Sequence, residues 1–245
     1  NRPDKLNAIN EAMAAQMISA LDAAEADRDV LAVIIQGNER AFCAGADLSG
    51  FSDAPADRYD NYRARYNQRK TRAIFRHLHN FTKPVISAVE GFCLGGGLEL
   101  ALFGDFIVAG EGAQFALPEA RHSLIPGAGG TQNLPRRIGP ALAKELMWTA
   151  RRLSAADAKD IRLVNHVVPK GEALAKAKAI VGEMEGSGPL AIMMIKQAVN
   201  RGTEMPVALG FYQESDLAQL LAFSEDRQEG VKAFAEKRKP KFKGQ

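Results

Sequence analysis

Two short apolar runs, Leu31 to Gln36 and Val85 to Val89, are each closed by a glycine-containing turn and followed by a loop of small residues. Both are strand-sized and read as buried strands. Helical spacing supplies the elements that cover them. Over 11–26, Met13, Met17, Ile18, Leu21 and Ala24 recur on one face, with Asn10 placed as N-cap and Glu11 in the first turn. Over 56–79, Tyr59, Tyr62, Tyr66, Ile74, Phe75 and Leu78 recur every three or four positions in a polar background, which predicts a long amphipathic helix. Leu98 to Phe103 reads as a buried helix start, 142–149 as a helix, and 106–109, 114–117 and 164–168 as strands. Beyond Gly171 only helical patterns remain, over 172–185, 189–201, 206–222 and 225–238. Strands alternating with helices and then helices alone predict an α/β core over 1–190 and a helical region over 191–245.

The 245 residues are 46% apolar and 25% charged with a formal net charge of +3, the profile of an ordinary globular chain. That composition excludes collagen-like, disordered and disulfide-scaffold classes. No apolar run nears the ~20 residues that span a bilayer. Cys43 and Cys93 lie far apart without metal-ligand spacing, so they are expected to be small buried apolar residues in a reducing compartment. The start, Asn1-Arg2-Pro3, has neither Met nor a signal-peptide pattern, and cytoplasm is the expected location.

No GxGxxG follows a strand, and GxxxxGK[ST], HExxH, GxSxG and clustered Cys/His are absent from the sequence. Neither a nucleotide cofactor held by such loops nor a metal is therefore expected. His77, His79, His122 and His166 are scattered, and His122 reads as a solvent-facing loop residue. Two glycine-rich junctions remain, Ala41-Phe-Cys-Ala-Gly-Ala-Asp-Leu48 and Gly91-Phe-Cys-Leu-Gly-Gly-Gly-Leu-Glu-Leu100. Glycine lets backbone approach a ligand closely, and the second junction opens a helix whose unpaired N–H groups attract negative charge. Two such amides converging would form an oxyanion hole, each donor contributing roughly 3 kcal/mol to a charged transition state. Read alone, the same segments also fit tight turns beside strands. Glu99 likewise fits a dipole-stabilised first-turn residue and Glu119 a surface acid.

Taken in order, five segments resemble the enoyl-CoA hydratase/isomerase (crotonase) family: Asn1 to Asn10, AFCAGADL (41–48), EGFCLGGGLELAL (90–102), QFALPEARHSLIPGAGGTQNLPRRIG (114–139), and Ser154 to Ala158. The resemblance implies a spiral of ββα units with a helical C-terminal trimerisation region, assembled as a homotrimer or a hexamer built as a dimer of trimers. It implies amides of Ala46 and Gly96 as the oxyanion hole for a thioester enolate. Glu99 is then the water-activating base, Glu119 exchanges the proton with C2, and the Gly127 N–H helps hold the water. Coenzyme A, part of the substrate rather than a cofactor, would meet Lys5, Ala44, Asp47, Leu48 and Lys239. The implied activity is a carbon–oxygen lyase, an enoyl-CoA hydratase of the kind used in fatty-acid β-oxidation. The alternative is an enoyl-CoA isomerase or another crotonase-type acyl-CoA lyase.

Lys232, Lys237, Arg238, Lys239, Lys241 and Lys243 oppose only Glu236 at the C-terminal end, which suits either a solvated basic helix end or attraction of coenzyme A phosphates. An RNA-binding or silent scaffold role gains little from this cluster, because basic and aromatic residues do not interleave. No nucleic-acid or membrane partner is expected. Ala120-Arg121-His122-Ser123 and Asn133 depart from the family pattern, and they bear on the acyl pocket.

Overall fold

The computed structural model describes residues 1–47, 49 and 69–245. Much of the predicted 56–79 helix, including Tyr59, Tyr62 and Tyr66, lies outside them. The described remainder is helical at 69–71 and over α2, Ala73–Asn80, where Ile74, Phe75 and Leu78 are buried as the spacing predicts. α1 spans Glu11–Ala26, and Asn10 caps it by accepting from the Met13 amide at 2.9 Å.

The eight strands among the described residues form two sheets. β1 (Val33–Gln36), β3 (Val85–Val89), β5 (Phe106–Gly110) and β8 (His166–Val168) form one four-stranded sheet in that order. β2 (Ala41–Cys43), β4 (Phe92–Leu94), β6 (Gln114–Ala116) and β7 (Leu153–Ser154) form the other. Each pass of the chain thus lays one strand in each sheet, the spiral implied by the resemblance. The β3–β5, β5–β8, β2–β4 and β4–β6 pairs are parallel, and the β6–β7 pair is antiparallel. β3 is buried along its whole length, as expected for a strand covered on both faces.

β2 and β4 fall in stretches read from sequence as loops. Each is three residues long, too short for an apolar period to register, and each is fixed instead by parallel pairing with its neighbour. Helix α3 covers Gly96–Ala101, α4 Gly130–Ile138, α5 Pro140–Thr149 and α6 Ala155–Asp160. α4 escaped prediction because it opens on glycine and carries Pro135 inside it. α6 is short but is held by a capping box between Ser154 and Asp157.

By internal packing the chain forms two compact units, one of Asn1–Asp22, Ile34–Asn80 and Val85–Lys178, the other of Ala23–Val33, Phe81–Pro84 and Ala179–Gln245. In the second, α7 (Ala173–Met184), which begins in the first unit, leads to α8 (Pro189–Gly202), α9 (Val207–Ala222) and α10 (Glu225–Ala235). The Lys83 ammonium ties its segments together by donating to the carbonyls of Ala24 (2.7 Å) and Asp27 (2.5 Å). The helices leave Ile195, Phe211, Phe223 and Phe234 exposed, Phe234 at 87%. Among the described residues no helix is long and apolar enough to cross a membrane.

Candidate active site

Strands β2 and β4 are parallel neighbours, with Cys43 opposite Cys93, so the loops that follow them leave from the same end of the sheet. Both thiols are free and buried, as expected, and burial pushes Cys43 up to about 11. After β2, Ile9 donates to the Gly45 carbonyl at 2.8 Å and Asp47 donates back to the Ile9 carbonyl at 2.9 Å. In a parallel bridge of this kind the intervening amide, that of Ala46, faces away from Ile9. After β4, Gly95 donates to the Ala116 carbonyl at 2.8 Å and turns through φ 52° into α3. Gly96 is the first residue of that helix, where an amide has no intrahelical acceptor.

The two loops touch. A methyl placed on Gly96 would lie 3.4 Å from the Ala46 nitrogen, and one placed on Gly45 would lie 3.4 Å from the Gly96 nitrogen. Among the described residues neither amide has an acceptor. Two unspent donors therefore sit side by side, which is what an oxyanion requires. The approach depends on Gly97, where a methyl would fall 2.1 Å from the Cys43 carbonyl oxygen.

Glu99 lies in the first turn of α3 and is 3% exposed. Its Oε1 accepts from the amides of Ala128 (2.7 Å) and Gly130 (2.8 Å), at the N-terminal end of α4. Burial raises its carboxyl above the usual value, against those two amides and the Arg72 charge, which pull it down. Glu119 begins the 3-10 turn Glu119–His122 after β6. Its Oε1 would lie 3.0 Å from a methyl on Gly95, and its Oε2 is buried with no hydrogen-bond partner among the described residues. Burial, aided by the negative charge of Glu99, pushes Glu119 up to about 7. The sequence-predicted acids thus act on one another beside the paired amides, in unequal surroundings.

That inequality has a measurable consequence for stability. Glu119 usually titrates at 4.5 but here near 7, so the folded protein holds this proton more tightly than the unfolded chain. Its contribution is therefore fully present below 4.5 and is lost as pH rises through about 7. Glu119→Gln should melt higher than the parent at about pH 8, and the gap should close by about pH 5. Thermal melts across that range test this, and a gap independent of pH would refute it.

The other predicted residues are scattered more widely. Ala44 donates to the Leu6 carbonyl at 3.0 Å, and Lys5 is exposed in the adjoining Pro3–Lys5 turn. Asp47 is ion-paired with Arg2 at 2.6 Å and accepts from Ser49, which together hold its carboxyl well below the usual range. Gly127 is exposed on the turn before α4. His122 is exposed, as expected. Lys239 belongs to the second unit, and Leu48 falls outside the described residues. Three groups went unforeseen: the amides of Ala128 and Gly130, and Arg72, whose Nη2 would be 2.7 Å from a methyl on Gly127. The glycine run Gly127-Ala-Gly-Gly130 opening a helix was the available signal for the amides. Arg72, in a charged helix far along the chain, gave none.

A family model described as enoyl-CoA hydratase/isomerase matches residues 1–245. The chain belongs to the enoyl-CoA hydratase/isomerase family. It is 40% identical over 244 residues to the 2,3-dehydroadipyl-CoA hydratase of Escherichia coli strain K12, covering 100% of this chain and 93% of that one. It is 39% identical over 243 residues to the crotonyl-CoA hydratase of Syntrophomonas wolfei, with 99% and 92% covered. The crystal structure of an enoyl-CoA hydratase from Bacillus anthracis superposes with a TM-score of 0.93 at 36% identity, covering 100% of this chain and 93% of that one. The family acts on acyl-CoA thioesters, and its crotonase fold is the two-sheet spiral described above.

Proposed function

We propose that this family member is a hydratase, adding water across the C2–C3 double bond of a 2-enoyl-CoA thioester to give a 3-hydroxyacyl-CoA. The observation that carries the reading is the pair of mutually sensed acids, Glu99 held by two amides and Glu119 left with a buried unpartnered oxygen. Burial raises both carboxyls, but Glu99 alone has amide donors that favour its ionised form, and Glu119 retains its proton up to about neutral pH. One base and one acid are what hydration needs.

In the proposed reaction Glu99 takes a proton from a water as its oxygen bonds to C3, and the Gly127 N–H helps hold that water. The displaced π electrons move to the thioester oxygen, where the amides of Ala46 and Gly96 stabilise the enolate. As the enolate collapses, C2 takes the Glu119 proton. Glu99 ends protonated and Glu119 ionised, and one proton transfer between them restores the site. No electrons leave the substrate, so the reaction as proposed needs no redox cofactor, and the two amides do the carbonyl polarisation that a metal could otherwise supply. Lys5, Ala44, Asp47 and Lys239 are assigned to coenzyme A, with Lys5 near the pyrophosphate. The exposed apolar side chains of α8 to α10 support assembly as a homotrimer or a dimer of trimers, which light scattering would test.

The deciding experiment mixes the protein with crotonyl-CoA and follows loss of the conjugated enoyl-thioester absorbance. Mass spectrometry should find the substrate plus one water. Inertness toward a graded series of 2-enoyl thioesters, with turnover of a 3-enoyl thioester, would overturn the hydratase in favour of an isomerase.

A further inference from the structure

Pairwise contacts link the groups of the candidate site one to the next. The amides of Ala46 and Gly96 adjoin Gly95, which abuts Glu119 Oε1. Glu119 senses Glu99, and Glu99 Oε1 accepts from Ala128 and Gly130. The turn carrying those amides begins at Gly127, and against Gly127 lies the Arg72 guanidinium, with Nη2 2.7 Å from where a methyl would sit. A thioester laid along this path has its carbonyl at the first pair of amides, C2 near Glu119 and C3 near Glu99. The carbons beyond C3 then run toward Arg72.

Arg72 is an odd group to find there. It is exposed, and among the described residues its guanidinium has no hydrogen-bond or ion-pair partner. Gly127 leaves room for it, since a methyl at 127 would require the guanidinium to shift. A guanidinium presents its N–H donors as a planar fork that matches a carboxylate in bidentate fashion.

We propose that Arg72 is a specificity-determining residue that receives an anionic group, a carboxylate, at the far end of the acyl chain, so that the preferred thioesters carry two acyl ends of which only one is esterified. This rests on the hydratase reading for the direction in which the chain lies. Arg72 also stands close enough to Glu99 for its charge to be felt there. Any rate effect through Glu99 falls equally on charged and uncharged substrates, so the ratio between them isolates the carboxylate contact.

The test compares a six-carbon 2-enoyl-CoA ending in a carboxylate with its methyl-ended counterpart, in the parent, Arg72→Met and Arg72→Lys. The parent should favour the carboxylate in kcat/KM, and Arg72→Met should cut that preference roughly 10- to 100-fold. Arg72→Lys, keeping charge but losing the fork, should fall between. The saturated thioesters of the same two kinds, titrated calorimetrically, should show the same order in affinity without any turnover. Equal use of both substrates by the parent, or an equal loss on both in Arg72→Met, overturns the carboxylate site while hydration itself stands. Inertness of both enoyl thioesters, with the calorimetric preference kept, overturns the hydratase instead.

Discussion

Glutamine at position 99 or 119 should lower hydration of crotonyl-CoA by ~10²- to 10⁴-fold, the usual range for removing a positioned acid or base. Coenzyme A affinity should stay within about threefold, because neither carboxyl is assigned to the carrier. Glutamine suits both positions as a probe. At 99 its carbonyl oxygen can still accept from Ala128 and Gly130, so the turn before α4 keeps its anchor. At 119 the neutral amide removes a carboxyl that the site holds protonated up to about pH 7. The two changes should not add, since an acid and a base that share one reaction fail together, and the double variant should be about as slow as the worse single one. The pH profile separates the roles. In the parent, kcat should fall as pH rises past about 7, where Glu119 loses the proton it delivers. Glu119→Gln should abolish that alkaline limb, whereas Glu99→Gln should keep it but move it to lower pH, because the Glu99 charge helps raise Glu119. Lost binding with unchanged turnover in either variant would overturn the assignment.

The second large effect is expected from a single methyl. Gly97→Ala places a carbon 2.1 Å from the Cys43 carbonyl oxygen, 2.7 Å from its carbonyl carbon and 2.9 Å from its Cβ. All three belong to β2 or to rigid backbone, so the clash cannot be relieved by rotating a side chain. Helix α3 must withdraw from β2 by more than 1 Å to reach ordinary contact distance, and a displacement of about 1 Å already costs on the order of 10²-fold in rate. Gly96 and Glu99 travel with α3, so the amide pair separates while Glu99 is drawn from its two donors. A fall in kcat of about 10²-fold or more, with a lower melting temperature, is the expected result. Gly182→Ala, in helix α7 where a methyl meets nothing within 4 Å, provides the control: kcat should be unchanged and the melting temperature should not fall. Full activity in Gly97→Ala would mean that the separation of the two loops does not matter.

What could be read in advance followed the length of each pattern. Helices α8 and α9 match their sequence ranges to within a residue because each repeats its apolar period over more than three turns, and α10 starts where expected but ends three residues early, at Ala235. β2 and β4 were missed as strands because pairing with a distant partner, not local period, defines three-residue elements. The acids were nameable because their motifs are local: Glu99 follows a glycine triplet and Glu119 follows Pro118. Their partners were not. Ala128 and Gly130 reach Glu99 from about 30 positions away, and Arg72 reaches the same turn from the residue just before α2. Such meetings depend on how the two sheets stack successive turns, which no window of sequence contains.

The stranded oxygen of Glu119 sets a hazard for anyone who would harden this protein against heat. A screen run in alkaline buffer and scored only on survival would reward the neutral side chain at 119 and, under the proposed mechanism, return robust molecules of greatly reduced turnover. Screens for endurance should therefore be coupled to product formation from the first round.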